Sequence, residues 1–208
     1  MFIYIVRHGE TDLNAKGIMQ GWADEPLNES GIDLAEMTGS GMKDIRFDAC
    51  ISSPLSRARH TAGIILGKSG NGNVAIETDD RIREINFGDE ERMPLDREKR
   101  GKFFSDPFRF EGFPGGENIS QLCERTQGFL KELMRRDDDK IYLISTHGCA
   151  LRAMLNFLYA DPDDFWHKHV PYNCVVNIVE AHGGSGKLIA DDKIYYDKKY
   201  CVDRYSIS

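Results

Sequence analysis

Two histidines and two arginines in this 208-residue chain follow stretches that would place them to handle a phosphoryl group. Arg7 and His8 come directly after Phe2-Ile-Tyr-Ile-Val6. Arg57 follows Ser52-Ser53-Pro54-Leu55-Ser56, and His147 follows Ile141-Tyr-Leu-Ile-Ser-Thr146. Arginine presents a rigid fork of donors that suits phosphate oxygens, and histidine can act as nucleophile or proton shuttle near neutral pH. No cysteine or carboxylate cluster accompanies them, so the set suits a phosphoryl group rather than a metal.

The elements that must bring them together are legible in composition. Residues 2–6 are uncharged, aromatic and β-branched, which predicts a strand buried on both faces inside a parallel sheet. Phe47–Ser52, Val74–Glu77 and Lys140–Ser145 read as further strands. Helices are predicted over Leu27–Met42, Leu55–Lys68, Asn118–Arg136 and Ala150–Tyr159. For the second of these, Ser53 reads as the N-cap and Pro54 as the first helical residue. Leu55, Ala58, Ala62, Ile65 and Leu66 then form its apolar stripe. Arg57 lies in the first turn, where the helix dipole favours an acid, and this marks it as a candidate for function. Asp79–Gly88 alternates charged and apolar residues and carries Glu84. Tyr172–Ala181 and Lys187–Tyr196 flank His182-Gly-Gly-Ser-Gly186 and predict a closing hairpin.

This alternation predicts an α/β fold over residues 1–208. The expectation is a three-layer α/β/α sandwich with a mostly parallel central sheet and one antiparallel edge strand. Arg7-His8, Ser53 to Arg57 and His147 then share the carboxyl edge of the sheet, where open α/β sheets bind ligands. Between Asp89 and Gly116 the pattern loses its period. It fills with Arg92, Arg97, Arg100 and Arg109 and with Phe103, Phe104, Phe108, Phe110 and Phe113. That segment is expected to form a short cap that chooses the substrate, with Arg92 and Arg109 as candidate contacts.

The totals narrow the class. A net charge of −7 argues against non-specific nucleic-acid binding. No apolar run approaches the roughly 20 residues of a membrane span. Five cysteines without a C-x-x-C pair read as reduced thiols, and the expected location is the cytoplasm. Cys149 reads as a small buried hydrophobe rather than a reactive thiol. His167 and His169 read as solvated or helix-end histidines rather than metal ligands. Oligomeric state leaves no mark on the sequence.

Six blocks, in order, resemble the histidine phosphatase superfamily, the group that includes the cofactor-dependent phosphoglycerate mutases. They are Arg7-His8-Gly9-Glu10-Thr11; Gln20 to Leu27 with Glu29-Ser-Gly31; Ser52 to Ala62; Glu84 with Phe87-Gly88; Pro114-Gly-Gly-Glu117; and Thr146-His147-Gly148. The resemblance implies a phosphohistidine mechanism. His8 would attack phosphorus, while Arg7, Arg57 and His147 would hold the phosphoryl oxygens. Glu84 would serve as acid and then base. Asn14, Gln20, Gly21 and Gly148 are the further candidates for phosphate or substrate binding. It implies no metal and no cofactor, because the arginines and the second histidine supply the charge. The expected activity is hydrolysis of a small phosphomonoester. Mutases of the family carry a long insertion after the counterpart of Glu84, whereas Ile85 to Phe113 is of phosphatase length. The alternatives are a phosphoglycerate mutase-type isomerase and a catalytically quiet protein that binds a phosphorylated ligand.

Overall fold

The structure, a computed structural model, describes residues 1–94, 97–167 and 169–202. The side chains of Arg97 and Arg100, two of the expected cap cations, and residues 203–208 of the expected domain lie outside the described residues.

A six-stranded sheet has the order β3-β2-β4-β1-β5-β6. Its strands are β1 (Phe2–Arg7), β2 (Ala49–Ser52), β3 (Ile76–Thr78), β4 (Ile141–Thr146), β5 (Val176–His182) and β6 (Ser185–Lys193). The first four run parallel to one another. β5 pairs antiparallel with β1, and β6 turns back on β5, so this edge is an antiparallel hairpin. The turn falls at Gly183 and Gly184, both at positive φ.

Successive residues of β1 enter opposite layers, as the pleat requires. Ile3 and Ile5 pack with Phe129, Leu130 and Leu133 of α5 (Ile119–Met134) and with Leu151, Met154 and Leu155, the last three in α6 (Gly148–Leu155). Val6 packs on the other face with Ala62, Ile65 and Leu66 of α3 (Ser56–Lys68). α2 (Glu29–Gly41) lies beside α3. The expected three-layer sandwich is observed. The short α1 (Asp12–Ala15) sits in the loop after β1.

Register does the positioning. Arg7 stands opposite Thr146 and Ser52 opposite Ser145, so three strands end in one row. His8, Ser53 and His147, each one residue further on, therefore emerge together at the carboxyl edge.

Several local expectations are corrected. Leu55, not Ser53, is the N-cap of α3, and no side chain caps it. The Ser53 hydroxyl meets the ring of His147 instead. β3 starts two residues later than expected, and the alternating Asp79–Gly88 stretch holds a 3₁₀ turn at Asp80–Ile82. α6 opens at Gly148, with His147 as its N-cap, and hands over to a 3₁₀ turn at Asn156–Leu158. The strongest helix is as expected: Asn118 and Gln121 of α5 form a reciprocal capping box.

The 89–116 segment contains α4 (Arg97–Ser105). Phe103 and Phe113 are buried in a satellite core with Phe87, Phe165 and Trp166. Edge-to-face contacts join Phe103 to Phe113 at 5.5 Å and to Trp166 at 5.4 Å. Aromatic packing, worth about 0.5–1.5 kcal/mol per pair beyond area, holds this segment against the core.

Candidate active site

His8 is buried, and its Nδ1 lies 2.6 Å from the carbonyl oxygen of Gly9. A carbonyl can only accept, so Nδ1 carries the proton and Nε2 keeps its lone pair. Arg57 Nε donates to that Nε2 at 3.3 Å and to His147 Nδ1 at 3.2 Å. With Nδ1 accepting, His147 carries its proton on Nε2, which donates to Ser53 Oγ at 2.8 Å. Both rings are thus fixed in single tautomers. Their pKa values lie well below the ordinary histidine value, first through burial and then through the charge of Arg57. An imidazole kept neutral is a competent nucleophile.

Arg57 is fully buried, and burial lowers its pKa to about 10, which leaves it charged at neutral pH. Its Nη2 donates to Gly21 O at 2.7 Å and its Nη1 to Ala23 O at 2.8 Å. Thr61 ties α3 to the loop after β1, accepting from Gly9 N at 2.9 Å and donating to Arg57 O at 2.7 Å.

Beside His8 is a cavity of about 180 Å³, lined by Arg7, Asn14, Gln20, Glu84 and Gly148 on its polar side. Met19, Phe87, Phe103, Phe104 and Trp166 form the apolar wall. Arg7 Nη1 donates to Pro171 O, while its Nε is buried without a partner. Gln20 accepts from Thr11 Oγ1 at 2.6 Å, which leaves its buried Nε2 also unpartnered. Buried donors in native proteins are normally satisfied. Two such donors, on two residues that line one cavity, suit an acceptor-rich, anionic group. Asn14 Oδ1 is committed to the backbone N–H of Thr11 at 3.3 Å, so its amide nitrogen is the group it has to offer.

Glu84 sits across the cavity at the start of α6. Its Oε1 accepts from Ala150 N at 2.9 Å and its Oε2 from Cys149 N at 3.1 Å, two of the N–H groups a helix leaves unpaired at its N-terminus. Gly148 lies between Glu84 and Arg7: a Cβ there would stand 3.4 Å from Arg7 Nε and 3.7 Å from Glu84 Oε2. The backbone of Glu84 is held by Arg125, whose Nη2 donates to Glu84 O at 2.8 Å and whose Nη1 donates to Arg81 O and Arg83 O. Glu117 fixes Arg125 through two bonds of 2.7 and 2.8 Å. The Pro114–Glu117 block thus supports the loop of Glu84 from behind.

Seven of the candidates meet at this site beside or around His8: Arg7, Asn14, Gln20, Arg57, Glu84, His147 and Gly148. Arg57 and His147 do not line the cavity but join His8 through Arg57 Nε, and three further candidates neither line the cavity nor bond to His8. Gly21 faces Arg57 with its carbonyl and acts as a support, not as a substrate contact. Arg92 is exposed and pairs with Glu25 at 2.7 Å. Arg109 is 87% exposed and faces Asp106. Long, strongly hydrated cations gain more from water than from an aromatic-walled cavity, so the segment turns Phe103 and Phe113 inward and these charges outward. Cys149 does line the cavity, yet burial drives its thiol pKa well up and keeps it protonated. His169 pairs with Asp192 at 2.9 Å, and His167 stacks on Tyr159. No pattern in the sequence marks Arg125 or Glu117 as a support of the Glu84 loop. Only Glu117 left a trace, as the last residue of the Pro-Gly-Gly-Glu block.

A neutral, lone-pair-bearing histidine faced by arginines at the carboxyl edge of a parallel sheet defines a centre for chemistry on anionic esters. The chain belongs to the histidine phosphatase superfamily (branch 1), whose family model matches residues 3–191. It is 34% identical over 176 residues to the uncharacterized phosphatase PhoE of Bacillus subtilis, covering 85% of this chain and 86% of that one. It is 32% identical over 168 residues to a 2,3-bisphosphoglycerate-dependent phosphoglycerate mutase of Beijerinckia indica, covering 75% and 80%. Among solved structures, Bacillus stearothermophilus YhfR superposes with a TM-score of 0.84 at 28% identity, over 93% of this chain and 97% of that one. The protein is an enzyme acting on phosphate esters. No helix among the described residues is long and apolar enough to cross a membrane.

Proposed function

We infer that the protein is a metal-independent hydrolase of small phosphomonoesters that works through a phosphohistidine. One observation carries this reading: His8 Nε2 holds its lone pair against Arg57, beside a cavity lined by Arg7 and Gln20, each with a buried donor that lacks a protein partner. His8 Nε2 attacks phosphorus, the Nε2–P bond forms, and the P–O bond to the alcohol breaks. Glu84 delivers a proton to the leaving oxygen. A water then attacks phosphorus, Glu84 takes its proton, the Nε2–P bond breaks, and inorganic phosphate leaves. Arg7 and Arg57, with the amides of Asn14 and Gln20, stabilise the charge on the transferring group in both steps, while His147, neutral and accepting at Nδ1, holds Arg57 Nε in place.

The cavity supports hydrolysis over isomerisation. Among the described residues, Arg7 is its only lining arginine or lysine. A bisphosphorylated or carboxylated ligand calls for a second set of cations, and among the described side chains Arg92 and Arg109 turn away. The test is phosphate release from p-nitrophenyl phosphate and a phosphomonoester panel in EDTA. Release by wild type that drops at least about a thousandfold in His8→Ala is expected. Release surviving the substitution contradicts the mechanism, and phosphoglycerate isomerisation without release would establish the mutase reading instead.

A further inference from the structure

We propose that Glu91, at the root of the cap, is the positioning residue that sets Arg57 for phosphoryl transfer, acting through the Gly21–Trp22 peptide. The inference rests on the phosphohydrolase reading above. Glu91 reaches back across the chain and accepts backbone N–H groups on both carboxylate oxygens. Oε1 takes Trp22 N at 2.6 Å and Phe87 N at 3.2 Å; Oε2 takes Gly21 N at 3.0 Å and Ala23 N at 3.2 Å. On the other side of the same turn, the carbonyls of Gly21 and Ala23 accept from the two terminal nitrogens of Arg57.

One peptide unit is shared by both partners. Its N–H, on Trp22, points to Glu91, and its carbonyl, on Gly21, points to Arg57. A peptide whose N–H rests on a carboxylate is polarised and becomes the better acceptor at its oxygen. The turn therefore relays the negative charge of Glu91 to a guanidinium that has lost its water. Arg57 Nε is then left aimed at His8 and His147. Gly21 is required for this approach, because a Cβ there would stand 2.1 Å from Ile85 O and 2.4 Å from Glu91 Oε1. The two segments are further laced by Arg92 N to Met19 O at 3.1 Å and Met19 N to Met93 O at 3.2 Å. The cap root and the Arg57 seat thus form one unit.

The test is a double-mutant cycle on p-nitrophenyl phosphate with E91Q, R57A and E91Q/R57A. An amide retains one accepting oxygen and turns an NH₂ toward N–H groups, so the turn cannot keep its present form. E91Q is expected to lose about thirtyfold in kcat, with KM moving less than threefold, and to lose less than threefold further when R57A is already present. E91D, which keeps the charge on a shorter stem, should recover at least a third of that logarithmic loss, and it carries the same cycle if E91Q does not fold. A residue that merely supports the cavity wall would raise KM, and its effect would multiply independently with that of R57A. That result overturns the proposal while leaving the hydrolase reading intact. Wild type without turnover would sink the hydrolase reading alone. The same cycle read on the Kd for inorganic phosphate then decides between coupling, which upholds the role of Glu91, and additivity, which removes it.

Discussion

Arg57 makes the contacts that define the site, and its geometry depends on being an arginine. One nitrogen faces two histidines while the other two hold the carbonyls of residues 21 and 23. A lysine has a single charged head and cannot satisfy both ends of that arrangement. Arg57→Lys is therefore expected to fold and to lose about a hundredfold in kcat/KM, measured on p-nitrophenyl phosphate. Retention of activity within threefold would show that a point charge is enough. His147 holds its place by giving its Nε2 proton to Ser53, a residue whose sequence context suggested a helix cap. Pattern alone could not separate the two uses of that hydroxyl, because the ring that captures it follows a strand distant in the chain.

At the level of elements, what was legible is what a short run of residues can declare. Buried strands running into Arg-His, Ser-Ser and Thr-His announce the row of chemistry, since their apolar composition speaks for burial and the polar residues that follow for a site at the carboxyl edge. The helix over 119–134 declared itself through its stripe and its capping box. The loops did not, because their roles are set by partners far away in the chain. Arg125 and Glu117 hold the loop of Glu84, and Glu91 holds residues 21–23; neither arrangement has a period. The cap cations misled for a physical reason: charge near a phosphate site reads as a ligand contact, while solvent and Glu25 or Asp106 claim it here. The first loop and α2 also meet at a point no pattern reveals. A Cβ on Gly31 would stand 2.1 Å from Glu10 O and 2.6 Å from Glu10 N, both backbone atoms directly after the nucleophile loop. Gly31→Ala should cost about 2–4 kcal/mol in denaturant unfolding, despite the alanine's better helix propensity. A neutral or stabilising result would mean that the α2 start can shift without cost.

For the whole molecule, two buried neutral histidines have a consequence for stability. His8 and His147 titrate well below the ordinary value when folded, whereas in the unfolded chain they bind protons near pH 6.5. Below that pH the unfolded state takes up protons that the folded state refuses, so stability falls as pH drops and is flat in these two groups above it. The slope approaches roughly 1.4 kcal/mol per pH unit for each histidine. His167, lowered by partial burial, adds a smaller contribution of the same sign. Asp192, held below the carboxylate range although burial opposes it, stays charged through this window and does not contribute to the slope there. Thermal unfolding between pH 7.5 and 5.5 should show Tm falling by several degrees, with a shallower fall in His8→Gln. An unchanged Tm over that interval would mean that the histidines are protonated in the fold.

The central claim is that His8 Nε2 becomes covalently phosphorylated. The most direct measurement is intact-mass spectrometry of wild type and His8→Ala, quenched into alkali within milliseconds of mixing with p-nitrophenyl phosphate. The expected result is one added phosphoryl group per wild-type chain, stable in alkali, lost in acid and mapped to His8 in the peptide digest. Turnover with no adduct, or an adduct that persists in His8→Ala, would contradict the account.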